Sequence, residues 1–245
     1  MNADDINECA RQLKEDYVYK LNVDPELLKK VTEYLNKSKW GGFNPKSYGG
    51  GEGNFDAKVK NGVFQLKGPD NQYQLKKDEQ LFKCKEFKQI VENQEIKKIL
   101  TAYFGREPKL NKKRLNVFYT QNKSGKFKQI KKQGWHMDDP KRFIENPKYN
   151  FIKLFIPLCD VTEENGATRI IKGSRENTPP GFVYKDYQGK RVSDDFIYKH
   201  YSKDLEIKLE STLGDIFLTR NDGFHKGGYC NSGSRLMIIA QYDVS

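Results

Sequence analysis

No apolar run of the roughly eighteen residues needed to cross a bilayer occurs anywhere in the 245-residue chain. The opening stretch, Met1 to Glu15, is polar and acidic where an export signal would be basic and then apolar. The expectation is an intracellular, cytoplasmic protein with no membrane association. Cysteine is scarce, and Cys9, Cys84, Cys159 and Cys230 stand far apart with no Cys-x-x-Cys pair. That excludes a disulfide framework and a clustered structural zinc site, and it predicts free, mostly buried thiols. Histidine is scarcer still. With only His136, His200 and His225, a centre that needs two imidazoles has few ways of being built. Repeats, low-complexity tracts and interdomain linkers are lacking too, so residues 1–245 read as one domain, a length that all-β barrels reach.

Acid is in deficit. Lys and Arg total 44 against 33 Asp and Glu, a formal charge of +11, which predicts attraction to anions without naming them. The hydrophobic share of 36% is low, but 14 Tyr, 15 Phe and 2 Trp supply the large side chains that a disordered chain lacks. The chain is expected to fold.

Residues 1–110 read mainly as helical support and loop. Asp24-Pro25 is an N-cap and first-turn pair, and Leu28, Val31 and Leu35 then share a helix face as far as Lys37. Leu81, Phe82, Phe87, Ile90 and Val91 mark a second helix; Ile96 to Phe104 form a third, stopped at Gly105. Gly41 to Asn54 is too glycine-rich for an element interior and reads as a surface loop or a lid. From residue 111 the character changes. Leu115 to Thr120, Asn150 to Leu158, Ala167 to Ile171, Asp215 to Thr219 and Leu236 to Tyr242 are short β-branched and aromatic runs parted by turn residues, the pattern of an antiparallel barrel or sandwich.

Chemistry concentrates in this half. In Gly134-Trp135-His136-Met137-Asp138, the imidazole and carboxylate are two positions apart, so an extended strand points both to one face, whereas Asp139 would point to the other. His225 follows in Asp222-Gly223-Phe224-His225-Lys226-Gly227-Gly228. Two imidazoles and one carboxylate on a triangular face leave open positions of the kind that suit non-haem iron(II) and oxygen. Alone, His-x-Asp more often marks a surface or core histidine. Arg235, ten positions after His225 and opening the last apolar strand, shifts the balance, because a guanidinium grips a carboxylate through two parallel hydrogen bonds.

From about Lys112 to Ser245, and more loosely over the N-terminal helices, the chain resembles the phytanoyl-CoA dioxygenase-like branch of the iron(II)/2-oxoglutarate oxygenases. The resemblance rests on His136-x-Asp138, Leu158-Cys159-Asp160-Val161-Thr162-Glu163-Glu164-Asn165-Gly166-Ala167-Thr168 leading to Lys172-Gly173-Ser174-Arg175, then Gly214-Asp215-Ile216-Phe217-Leu218, His225 and Arg235, in the family's order. It implies a double-stranded β-helix, a jelly roll of two facing sheets with helices outside. It further implies iron(II) on His136, Asp138 and His225, with 2-oxoglutarate and O2 as cosubstrates and Arg235 on the distal oxoglutarate carboxylate. Phe155 falls where relatives place an aromatic beside the cosubstrate, and Asn116 lies on a strand that often adds a contact. Retention of Asp138 favours hydroxylation over halogenation; desaturation and cyclisation use the same ligands. The family often has His where Arg175 stands.

The stretch from Asn111 to Gly134 carries Lys123, Lys126, Lys128, Lys131 and Lys132 and no acid. A solvated loop is the plainer account; a funnel for an anionic substrate is the functional one. The expected partner is a small molecule with an acidic group. Two other classes compete. A basic nucleic-acid-binding module, or an oxygenase acting on nucleic acid or protein, fits the charge and the aromatics among the lysines, but no known nucleic-acid-binding signature is present. A silent ligand-binding barrel conflicts with the complete set of three ligands plus Arg235. Specificity is expected in 41–54, 123–133 and 179–201.

Overall fold

Strand β13 (Gly233–Val244) is the axis on which the rest is hung. It pairs along one edge with β7 (Asn116–Asn122) and along the other with β8 (Asn150–Pro157), both antiparallel. The computed structural model describes residues 1–42, 54–126, 134–138, 150–179 and 191–244. β8 continues to β11 (Asp215–Thr219) and β1 (Val18–Asn22), and β7 continues to β5 (Asn71–Leu75), β2 (Lys39–Gly42), β3 (Phe55–Lys60) and β4 (Val63–Leu66). With β6 (Lys109–Leu110) on the end of β13, this is a ten-stranded sheet. A second sheet orders β10 (Glu206–Lys208), β9 (Arg169–Ile171) and β12 (His225–Lys226).

Alternation along the large sheet sorts its two faces. Val117, Tyr119, Ile152, Leu154, Ile156, Ile216, Leu218, Leu236, Ile238 and Ala240 point outward into the main core. Helices α1 (Ala3–Asp16), α2 (Pro25–Asn36), α3 (Lys85–Val91) and α4 (Gln94–Phe104) supply the other half of that core, with Leu13, Leu28, Val31, Leu35, Phe87 and Ile99 wholly buried. Phe155, Phe217 and Met237 point inward and meet Val161, Ala167, Ile170 and Leu209 of the smaller sheet's side. The two facing sheets with helices outside are the double-stranded β-helix expected for the chain.

The helix signals are realised. Asp24 caps α2 by accepting from the Glu26 amide, and α4 ends at Gly105, whose left-handed φ of 71° closes the last turn. The expected helix from Leu81 to Val91 is instead a 3-10 turn, Asp78–Lys83, followed by α3, because Cys84 is extended and caps the new start. Helix α1, missed in the sequence, is held by a capping box between Asn2 and Asp5 and buries only Cys9, Ala10 and Leu13.

Residues 1–110 are not only helical support. They contribute β1 to β5 and β6, and β1 and β5 pair with strands of the C-terminal half. Gly41 and Gly42, assigned to a loop by composition, end strand β2, opposite Gln74 and Tyr73. The remainder of that loop, 43–53, lies outside the described residues, as do 127–133 of the lysine-rich stretch, Asp139, and 180–190.

Candidate metal centre

His136 and His225 are directly opposite each other on adjacent chain segments. The His136 amide donates to the His225 carbonyl at 2.9 Å, and the His225 amide donates back at 2.9 Å. Residues paired in this way present side chains to the same face, and the ring centroids stand 4.3 Å apart. Two positions on, the Asp138 amide donates to the Asn221 carbonyl at 3.0 Å, which extends the pairing and returns the carboxylate to the face of the imidazoles. Asp138 Oδ2 lies 3.2 Å from His225 Nε2, and Asp138 Oδ1 lies 3.9 Å from His136 Nε2. One donor atom from each of the three residues falls within 4.8 Å of the others. Ligands held about 2.1 Å from an ion at right angles to one another stand about 3 Å apart, so small side-chain adjustments bring these atoms onto one ion.

The outer ring nitrogens support that use. His225 Nδ1 lies 3.0 Å from the Gly223 carbonyl and His136 Nδ1 lies 3.3 Å from the Gly134 carbonyl. An Nδ1–H donated to a carbonyl leaves the Nε2 lone pair for a metal. Arg191 Nη1 sits 2.8 Å from His136 Nδ1 and 3.1 Å from the Gly134 carbonyl; as a donor only, it shares that carbonyl when Nδ1 carries the proton. Burial first, then His225, pushes His136 well below the usual imidazole value, against the pull of Asp138. For Asp138, burial favours the neutral acid, but Lys153, His225 and His136 outweigh it and hold the carboxyl well below its usual range. The neutral imidazole and the ionised carboxylate are the forms that bind a metal.

Lys153 escaped the sequence reading. It lies on β8, its ammonium pairs with Asp138 Oδ2, and its cross-strand partners are Thr219 and Gln241. The available signal was one charged residue inside an otherwise apolar strand, two positions before Phe155. A second group, on the outer side of the imidazole pair, also went unread. Lys226, 2% exposed, reaches Asp194 and lies 4.8 Å over the Trp135 ring, while Trp135 Nε1 donates to the same Asp194 Oδ1 at 2.7 Å. Asp194 opens helix α5 (Asp194–His200), so the helix, the His136 segment and β12 are tied at one carboxylate. His200 is exposed on α5 against the Phe196 ring and takes no part in the centre.

Arg235 and Phe155 are buried on the inner face of the large sheet, at 7% and 4% exposure. Arg235 is opposite Thr120, and Phe155 and Asn116 flank Ile239 in a single row. Among the described residues no hydrogen-bond partner reaches Arg235 Nη1, although the atom is fully buried. Burial pushes the Arg235 guanidinium below its ordinary value. Gly166, at φ 102°, lets the chain pass close by, since a Cβ there would stand 3.4 Å from Arg235 Nη1 and 2.9 Å from the Gly228 carbonyl. A buried cation with an orphaned donor is the arrangement expected where a carboxylate ligand docks. Arg175, at the variable family position, turns its Nε to within 4.0 Å of Asp222 Oδ2.

The fold has well-covered likenesses. SnoN, the non-heme alpha-ketoglutarate-dependent epimerase of nogalamycin biosynthesis, solved with Fe3+ and alpha-ketoglutarate, aligns with 98% of this chain and 84% of its own at 12% identity and a TM-score of 0.63. EctD from S. alaskensis with bound Fe covers 100% of this chain and 77% of its own at 12% identity, TM-score 0.58. HygX from Streptomyces hygroscopicus, with nickel and 2-oxoglutarate bound, covers 96% and 85% at 11% identity, TM-score 0.58. No curated protein sequence matches the chain. At such identities the structural likeness establishes the fold. Membership is established by sequence, through a match to the phytanoyl-CoA dioxygenase profile over residues 53–237. The chain therefore belongs to the phytanoyl-CoA dioxygenase (PhyH) family of iron- and 2-oxoglutarate-dependent oxygenases.

Proposed function

We propose that the protein, acting as one domain over residues 1–245, hydroxylates a small acidic metabolite, with His136, Asp138 and His225 holding iron(II) and Arg235 holding 2-oxoglutarate. The observation that carries this reading is the pairing of two unlike features in the interior between the facing sheets. A three-donor cluster lies within 4.8 Å, and a buried guanidinium has a donor that none of the described residues satisfies.

When bound, iron(II) with 2-oxoglutarate and O2 supplies the oxidising power to hydroxylate an unactivated carbon, releasing succinate and carbon dioxide. The protein's part is placement. The His136 and His225 carbonyl contacts hold both Nε2 atoms toward Asp138. Arg235 fixes the distal carboxylate of the cosubstrate through its free Nη1, and Phe155 and Asn116 form the wall row beside it. Phe155, Phe217 and Met237 keep the surroundings apolar and exclude water, which strengthens every charge interaction there.

The reading is tested by loading the metal-free protein anaerobically with iron(II) and 2-oxoglutarate, recording the charge-transfer absorption of the chelate, and then measuring succinate under air. Native protein shows both signals and Asp138→Ala neither. Absence of the absorption in native protein, or equal turnover in the two, overturns the assignment. A steep salt dependence of DNA or RNA binding would favour the nucleic-acid reading, and unchanged weak binding by His136→Ala would make that binding independent of the metal centre.

A further inference from the structure

The inner face of β13 runs Arg235, Met237, Ile239, Gln241. Arg235 and the row of Lys153, Gln241 and Thr219 are therefore separated by about 20 Å of strand. One cation stands at each end of this face. Arg235 is accounted for by the distal carboxylate of the cosubstrate; Lys153 is not.

Among the described residues, Asp138 is the acid in ion-pair contact with Lys153, whose side chain is only 19% exposed. The acids that share this inner alignment are engaged elsewhere. Asp215 takes Lys20 and Asn22, and Asp243 takes Asn111 and Gln241. A divalent ion and two side-chain cations against one carboxylate leave three positive charges in the space between the sheets. A dianionic cosubstrate neutralises two. One positive charge remains beside the metal set, before Arg191 next to His136 is counted, and a largely buried charge without a counterion is unfavourable.

A second observation points the same way. Asn221 follows Thr219 on the inner alignment, its backbone carbonyl accepts from the Asp138 amide, and its Oδ1 accepts from the Thr219 hydroxyl at 2.7 Å. Its Nδ2 is buried with no partner among the described residues. The Lys153 ammonium thus pairs with the Asp138 carboxylate, and the residue whose backbone carbonyl holds the Asp138 amide carries an unused amide donor.

We propose that Lys153, with the Asn221 amide beside it, binds one singly charged carboxylate of the organic substrate next to Asp138, which makes Lys153 a substrate-selecting residue. This rests on the metal and cosubstrate reading above. In the metal-free protein, Asp138 serves as the ammonium's anion. Once an ion takes Asp138, the substrate carboxylate becomes the counter-charge of Lys153, so the site fills best with an acid and poorly with its neutral amide.

The test loads native protein, Lys153→Met, Lys153→Arg and Asn221→Leu anaerobically with iron(II) and 2-oxoglutarate. Acetate and benzoate are then titrated against acetamide and benzamide while the charge-transfer absorption is followed. In native protein the acids shift the absorption at concentrations at least about tenfold lower than the amides. Lys153→Met loses about tenfold or more of that preference, Asn221→Leu loses several-fold, and Lys153→Arg keeps it within about threefold. Circular dichroism confirms that each variant is folded, and the Arg variant keeps the question open to refutation should the Met variant fail to fold. Acids and amides acting alike on native protein, including neither acting, overturns the proposal. So does an unchanged acid preference in Lys153→Met. Failure of the underlying reading looks different, since the charge-transfer absorption itself would then be missing from native protein.

Discussion

Replacing Arg235 by methionine removes a cation that has no anion beside it among the described residues, and the consequences for stability and for ligand binding have opposite signs. Methionine keeps the apolar stem that packs in the sheet, so the change is mainly one of charge. Arg235 is 7% exposed and its Nη1 has no partner. Relief of one unsatisfied buried donor stabilises by about 1 to 3 kcal/mol. For a chain of this size each kcal/mol moves the unfolding midpoint by about 2 to 4 °C, so ligand-free Arg235→Met unfolds about 2 to 12 °C above the native protein. Loss of a two-pronged, desolvated contact with a carboxylate costs about 2 to 5 kcal/mol of binding, or about thirtyfold to several thousandfold in the 2-oxoglutarate dissociation constant. Thermal unfolding of the metal-free protein reads the first effect, and an anaerobic 2-oxoglutarate titration of the iron(II) form reads the second. Binding within about threefold of native, or a less stable ligand-free variant, would refute the reasoning.

Asp138→Ala abolishes stoichiometric binding of iron(II), or of nickel(II) as an air-stable substitute, in equilibrium dialysis, whereas His200→Ala binds as native does because His200 is exposed on α5. Asp194→Ala strands the buried Lys226 ammonium and lowers unfolding stability by about 2 kcal/mol, and adding Lys226→Met restores most of it in a double-mutant cycle. The imidazole of His136 is held below its usual 6.5 by burial and by His225, so the unfolded chain binds more protons than the folded one as pH falls through 6.5. Stability of the metal-free protein therefore declines below that pH at up to about 1.4 kcal/mol per unit, and His136→Gln flattens the slope in a thermal-unfolding series.

The gathering of His136, Asp138 and His225 was legible because its signals are local. A two-residue spacing on an extended segment fixes a shared face, and so few histidines leave few other pairs. The strands from residue 111 onward were legible for a similar reason: each is an apolar run bounded by turn residues, and four of the five expected runs start or end within a residue of the observed element. The N-terminal strands were not. β3 reads Phe-Asp-Ala-Lys-Val-Lys, alternation so short and so charged that only pairing with β4 and β2 defines it. Helix α1 presents three buried residues in fourteen, too narrow an apolar stripe to stand out from a polar terminus. Lys153, Asn221 and the Lys226–Asp194–Trp135 tie depend on contacts between distant segments, and no spacing along the chain announces them.

Two buried arginines make the same point sharply, because in sequence they are placed alike: each sits at an end of an apolar strand, Arg220 with Asp222 two positions on and Arg235 with no acid nearby. In the fold they part company. Arg220, 7% exposed, gives Nε and Nη2 to the two oxygens of Asp222 at 3.2 and 2.9 Å and Nη2 to Glu176 at 2.8 Å, with Nη1 to the Lys14 carbonyl at 2.9 Å. Its guanidinium lies 4.1 Å over the Tyr17 ring, and the Tyr17 hydroxyl reaches Glu176. Every nitrogen is used, and the cluster ties the end of α1 and the start of β1 to the turn that carries His225. Arg235, equally buried, is left with an open donor. A buried charge that the protein fully satisfies braces the scaffold; one that it leaves unsatisfied is tolerable only if a ligand completes it. The difference between the two environments, rather than the residue type, separates the brace from the proposed ligand contact.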